Sequence, residues 1–129
     1  MTDDAGQALV PVVLALAIAA VTIVGLRAVQ DRFAEAARAQ RAGEAAVEAA
    51  AQSIADVYAT RPAEARAIVL DPRVIEDARV AAEALARENG AGGVGEVRLL
   101  CSGTRIEAHL DLGGHSHRAG FTAAECSPR

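Results

Sequence analysis

The feature that most constrains this chain is a run of 19 residues without a charge near its N-terminus, Ala8 to Leu26. A helix rises about 1.5 Å per residue, so the run would span roughly 28 Å, close to the hydrocarbon thickness of a bilayer. Pro11 falls in the first turn of such a helix, where a missing N–H costs little. The run therefore predicts a helix inserted in a membrane.

Two other interpretations of the run are weaker. A buried core helix would need large apolar side chains around it, but 32 of the 129 residues are alanine and aromatic residues make up 2%. A cleaved secretory signal would begin with basic residues and end in a small-x-small site. Here Asp3 and Asp4 precede the run, and it continues directly into Arg27. A retained anchor is the favoured interpretation.

Charge and composition exclude several function classes. The net charge of -4 is the wrong sign for a nucleic-acid binder. The shortage of bulky apolar residues argues against a large enzyme with a deep pocket for a small-molecule substrate. We therefore predict neither nucleic acid nor a small molecule as a partner.

Residues 27–60 predict a helical stalk that continues the membrane helix and ends at Arg61-Pro62. Apolar residues recur on one helical stripe, with a weak point at Gln40 and Glu44. The stripe comprises Leu26, Val29, Phe33, Ala37, Val47, Ala51, Ile54 and Tyr58. Because alanine allows close approach but buries little area, the stripe suits packing against partner helices. Packing against the chain's own C-terminal part is an equal alternative.

The C-terminal part predicts two further helices and a small sheet. A short helix is expected over Pro62 to Leu70, and a second begins at the Asp71-Pro72 cap and ends at Asn89-Gly90. Alternation then predicts three strands, over residues 97–101, 104–112 and 115–124. The predicted fold class is α+β, with a long transmembrane and stalk helix, further helices and an antiparallel three-stranded sheet.

Two cysteines, Cys101 and Cys126, lie 25 residues apart. In a small extracytoplasmic domain such a pair indicates one disulfide, and two reduced thiols are the alternative. The disulfide favours the C-terminal part outside the cell. The positive-inside rule favours the cytoplasm instead, because four arginines follow the apolar run. These are Arg27, Arg32, Arg38 and Arg41. We expect the outside orientation.

No catalytic constellation is evident. His109, His115 and His117, with Glu107, are the candidate zinc ligands, but their spacing matches no usual site. We therefore predict no catalytic residue, no metal and no cofactor.

Four segments together give the chain a family resemblance. They are Gly6-Gln7-Ala8-Leu9-Val10, the Ala-rich stretch Arg41 to Ala51, Ala84 to Ala91, and His117-Arg118-Ala119-Gly120. In order and spacing the chain resembles the TadE/TadG-like family of tight-adherence, Flp-type pilus proteins.

The resemblance implies a single-span, pilin-like fold in the inner (plasma) membrane with the C-terminal domain outside. It also implies cleavage by a prepilin peptidase after Gly6, leaving Gln7 as the new N-terminus. The family pattern has Glu at the fifth mature position, where this chain has Pro11, and no basic residue precedes Gly6. The domains expected are a leader (1–6), a transmembrane helix (7–26), a stalk (27–60) and an α+β domain (61–129).

The function expected is that of a non-enzymatic minor pilin or pilus-assembly and secretion-associated envelope protein. Its partners would be the membrane and other pilin-like or pilus-assembly proteins, bound through helix packing. The alternative is an uncleaved bitopic scaffold or interaction protein outside any pilus system. A minor alternative is an extracytoplasmic metal-binding or hydrolase module.

Overall fold

The computed structural model of the chain describes residues 4–127, with side chains described from Leu9 onward. In chain order they form α1 (Asp4–Thr60), a 3₁₀ turn (Pro62–Glu64), α2 (Ala65–Ile68), α3 (Pro72–Glu88), β1 (Val97–Ser102), β2 (Arg105–Leu112), β3 (His115–Thr122) and a second 3₁₀ turn (Ala124–Cys126). The predicted α+β class is confirmed. The chain comprises two compact units, one up to Ala36 and one from Ala37.

Helix α1 forms because alanine, the strongest helix former, fills much of it. It is 57 residues long, and Pro11 lies near its N-terminal end. Thr22 donates its hydroxyl hydrogen bond to the carbonyl of Ile18 at 2.8 Å, so its polar group is satisfied within the apolar run. The helix is long and apolar enough to cross a membrane.

The segment between α1 and α3 is shorter in helix than expected. The residues from Pro62 to Leu70 form the first 3₁₀ turn and then α2, a single α-helical turn. Asp71 precedes Pro72, and a residue before proline avoids the helical conformation, so this helix cannot continue into α3. Asp71 is extended, and its carboxylate accepts a hydrogen bond from the N–H of Arg73 at 2.9 Å. The predicted cap of α3 is therefore present.

The sheet is an antiparallel meander in the order β1-β2-β3. Leu99 lies opposite Ala108, and Leu110 lies opposite His117. β3 ends at Thr122 rather than at residue 124, because the chain there enters the second 3₁₀ turn. The inward-facing positions of β2 are its four apolar residues. They are Ile106, Ala108, Leu110 and Leu112, all buried.

The core of the second unit combines the sheet, α3 and the C-terminal part of α1. Its helical side is made largely of alanine, with isoleucine and valine filling the remaining space. The buried residues of α1 are Ala42, Ala46, Val47, Ala50, Ala51 and Ile54. The compact unit thus takes in much of the segment expected to be a stalk.

Candidate functional site

The first candidate site is the apolar surface of α1 in the N-terminal unit. Every described side chain from Leu9 to Arg38 is exposed, including large apolar ones such as Leu16 at 66% and Val21 at 74%. A soluble monomer rarely exposes a contiguous apolar surface of this size. Chemically, the surface can enter lipid or pack against other apolar helices.

The predicted cleavage site lies at the start of this helix. Gly6 and Gln7 belong to α1, but their side chains lie outside the described residues, as does much of the leader 1–6. Cleavage between them stays a prediction.

A disulfide closes the C-terminal end of the second unit. Cys101 on β1 and Cys126 in the second 3₁₀ turn are bonded, with their Cα atoms 5.3 Å apart. Arg66 of α2 donates a hydrogen bond to the carbonyl of Cys126 at 3.0 Å. The same turn is thus held covalently by the sheet and by a hydrogen bond from α2.

A tyrosine–carboxylate pair joins α1 to the same turn. The hydroxyl of Tyr58 donates a hydrogen bond to the carboxylate of Glu125. This bond lowers the pKa of Glu125 below its ordinary value and raises the pKa of Tyr58 above its own. The ring of Tyr58 also lies 5.5 Å from that of Phe121 on β3. The pair is a contact that spacing along the sequence gave no reason to expect.

The three histidines are separated rather than gathered. His117 lies on the inner face of β3 and is 6% exposed. His109 lies on the opposite face of the sheet, where its Nε2 is 3.1 Å from a carboxylate oxygen of Glu107. His115 is exposed at the start of β3. Among residues 4–127, no three His, Cys, Asp or Glu side chains form a group that would hold a metal ion.

His117 instead packs against a glycine of α1. A Cβ atom on Gly43 would overlap the imidazole ring, so the helix and the strand approach closely only because that atom is missing. The Nε2 atom of His117 is buried and has no hydrogen-bond partner among the described residues. Nothing in the local sequence links Gly43 to residue 117, so the sequence alone gave no reason to expect this contact.

An open cleft of about 1120 Å³ lies beside the C-terminal turn. Its titratable lining residues are Glu64, Arg66 and Glu125, and alanines and Pro62 form much of the rest. Arg66 and Glu125 are engaged with the turn itself. Ser127 is the hydroxyl-bearing residue of the described lining.

Comparisons with models of protein families, with curated proteins and with solved structures gave no match to this chain.

Proposed function

We propose that this chain is a non-enzymatic, pilin-like protein of the bacterial envelope that acts in pilus assembly or as a minor pilin. Its N-terminal helix anchors it in the inner membrane and packs against the helices of partner proteins. Its C-terminal domain is presented outside the cell. One observation carries the proposal: a fully exposed apolar helix segment, residues 9–26, is continuous with the helix that forms part of a disulfide-closed core.

The disulfide supports the outside orientation. Cys101 and Cys126 are bonded, and structural disulfides persist in oxidising compartments but are rare in the cytosol. The arginines after the apolar run oppose this orientation under the positive-inside rule. We give the disulfide more weight, because it concerns the compartment of the folded domain itself.

The pilus assignment depends on the resemblance of the chain to TadE/TadG-like proteins. Helix packing between subunits is compatible with a surface of alanine and β-branched residues, which allows close approach. The runner-up, an uncleaved bitopic scaffold, is favoured by Pro11, which stands where the family pattern has a glutamate. A proline there cannot compensate the N-terminal ammonium of a neighbouring subunit.

Topology is tested by thiol labelling in intact cells. A membrane-impermeant maleimide added after mild reduction should label Cys101 and Cys126, and should label neither without reduction. The double variant Cys101→Ser/Cys126→Ser is the matched blank. Labelling only after the cells are lysed, without any need for a reductant, would place the domain in the cytoplasm and contradict the proposal.

The pilus assignment is tested separately by N-terminal sequencing and shearing. A mature chain that begins at Gln7 and is released with sheared filaments supports a minor pilin. Cleavage without release supports an assembly role in the membrane. An intact N-terminus, with the chain retained in membranes and absent from filament complexes, would favour the bitopic scaffold.

A further inference from the structure

The sheet has one face in the core and one exposed face, which we call the outer sheet face. It is formed by the residues of each strand that alternate with the buried ones. They are Arg98, Leu100, Ser102, Arg105, Glu107, His109, Asp111, Ser116, Arg118, Gly120 and Thr122. No helix of residues 4–127 covers this face, since the described core lies on the other side of the sheet.

Three nitrogen-bearing side chains form a row straight across this face. The register places Arg98 opposite His109, and His109 opposite Arg118. Neighbouring strands lie about 4.8 Å apart, so the row presents one such side chain at each step of that length. Both arginines are exposed, and within the described part of the chain neither forms an ion pair with a carboxylate.

Two carboxylates flank the row, Glu107 and Asp111, each two residues from His109, and Glu107 is engaged within the sheet. Glu107 contacts the Nε2 of His109 at 3.1 Å, and both side chains are about three-quarters buried. This placement requires Gly120 on β3, because a Cβ atom there would lie 3.1 Å from the Cγ of Glu107 and would overlap the backbone of Ile106. The glycine thus leaves room for the Glu107 side chain beside the row.

The outer sheet face differs in charge from the rest of the chain. It carries three arginines, Arg98, Arg105 and Arg118, against two carboxylates, Glu107 and Asp111, whereas the whole chain has a net charge of -4. A locally positive face on an acidic protein selects for anionic partners by charge complementarity. Leu100 is 47% exposed and lies beside the row, where it offers a partner an apolar contact.

We propose that the outer sheet face binds a linear acidic polysaccharide whose carboxylates pair with Arg98 and Arg118 across His109. Arg98 and Arg118 lie two strand steps apart, about 9.6 Å, so a linear polyanion that carries a carboxylate on each sugar unit can reach both. Nucleic acids fit less well, since single strands are held by aromatic stacking and no Phe or Tyr lies on the outer face of the described strands. The inference uses the proposed function only to place the domain outside the cell.

The test is a direct binding measurement with the full-length protein in a non-ionic detergent. Titrated with polygalacturonate at low ionic strength, the protein should bind, and dextran of similar length should not bind. The double variant Arg98→Gln/Arg118→Gln should lose at least about tenfold in affinity, with a shallower salt dependence, because two charge pairs are removed.

A matched control removes the same charge elsewhere. Arg73 and Arg87 are exposed on α3, so Arg73→Gln/Arg87→Gln should leave the affinity unchanged within about twofold. Glu107→Gln should tighten binding, since it removes a negative charge beside the row. Circular dichroism establishes that each variant is folded. If the double variant is unfolded, the single variant Arg118→Gln takes its place in the binding measurement.

Three results would overturn the inference. They are no binding of polygalacturonate, an equal loss of affinity in the α3 control variant, and binding of duplex DNA or of anionic lipid vesicles as tight as that of polygalacturonate. Because the binding assay needs no intact membrane, a failure here is distinct from a failure of the topology test.

Discussion

At the level of single residues, Gly43 determines how closely α1 packs on β3. The imidazole of His117 occupies the space that a side chain at residue 43 would need. Glycine inside a helix is destabilising by roughly 1 kcal/mol relative to alanine, so this position gives up helix stability for close packing. His117 is also the buried polar side chain whose Nε2 has no partner among the described residues.

We therefore predict that Gly43→Ala destabilises the protein by about 1–3 kcal/mol through overpacking. In a His117→Ala background the same change should instead stabilise, because the space is free and only helix propensity remains. Chemical denaturation of the four proteins of this double-mutant cycle measures the reversal. Gly25→Ala is the control, since no atom lies within 4 Å of a Cβ there. Equal effects of Gly43→Ala in both backgrounds would contradict the assigned contact.

The bond between Tyr58 and Glu125 predicts a stability profile that falls at both ends of the pH range. Because the pKa of Glu125 is lowered, the stability that its carboxylate contributes is present above the ordinary carboxyl range. That stability is lost as the pH falls through the pKa of Glu125 in the folded protein. Because the pKa of Tyr58 is raised, the stability that its hydroxyl contributes is lost as the pH rises through the pKa of Tyr58 in the folded protein.

Tyr58→Phe should lower the Tm at neutral pH while keeping the ring near Phe121. The difference from the wild type should shrink as the pH falls below the ordinary carboxyl range towards the lowered pKa of Glu125. Thermal melts across the pH range measure this. A difference that stays constant from neutral to acidic pH would rule out the hydrogen bond as its cause.

At the level of elements, the sheet was predictable and the packing face of α1 was only partly so. Alternation fixed the buried face of β2, because each second residue from Ile106 to Leu112 is apolar. In α1 the large apolar residues indicated the stripe, but its N-terminal members Val29 and Phe33 are exposed. In a helix with alanine at most positions, apolar spacing does not single out which alanines are buried.

The contacts of the candidate sites required three-dimensional proximity. The pairing of Tyr58 with Glu125, and that of Gly43 with His117, join residues more than 60 positions apart. Residue identity alone gave no signal for either, since neither the local pattern around Tyr58 nor that around Gly43 names a partner so far along the chain. The disulfide between Cys101 and Cys126 was predictable, because only two cysteines are present.

The disulfide supports a second unit whose helical core is largely alanine. The bridge joins residues 25 positions apart, which in the chain-entropy model is worth about 3 kcal/mol. For a unit of this size that corresponds to a fall of about 15 °C in Tm on reduction. Calorimetry with and without a reductant measures it. Cys101→Ser/Cys126→Ser should melt near the reduced wild type and should not respond to reductant.

At the level of the whole molecule, burial is confined to one part of the chain. The buried residues of the described chain run from Ala42 to Cys126, whereas every described side chain from Leu9 to Arg38 is exposed. The buried core of the second unit is thus built from residue 42 onward, without side chains of the apolar run. The apolar run, in turn, needs lipid or partner helices to remove its surface from water.

This division predicts that the chain from Ala37 to Arg129 folds alone, with its disulfide formed. Its Tm should match that of the full-length protein in detergent within about 4 °C, the shift that roughly 1 kcal/mol produces in a small domain. A longer fragment from Arg27 should melt at the same temperature, because residues 27–36 bury nothing in the described structure. A fragment that begins at residue 48 should be unfolded, since it lacks Ala42, Ala46 and Val47 of the core. If instead the Ala37 fragment is unfolded while the full-length protein is folded, the N-terminal unit contributes to the stability of the second unit, and the two do not fold independently.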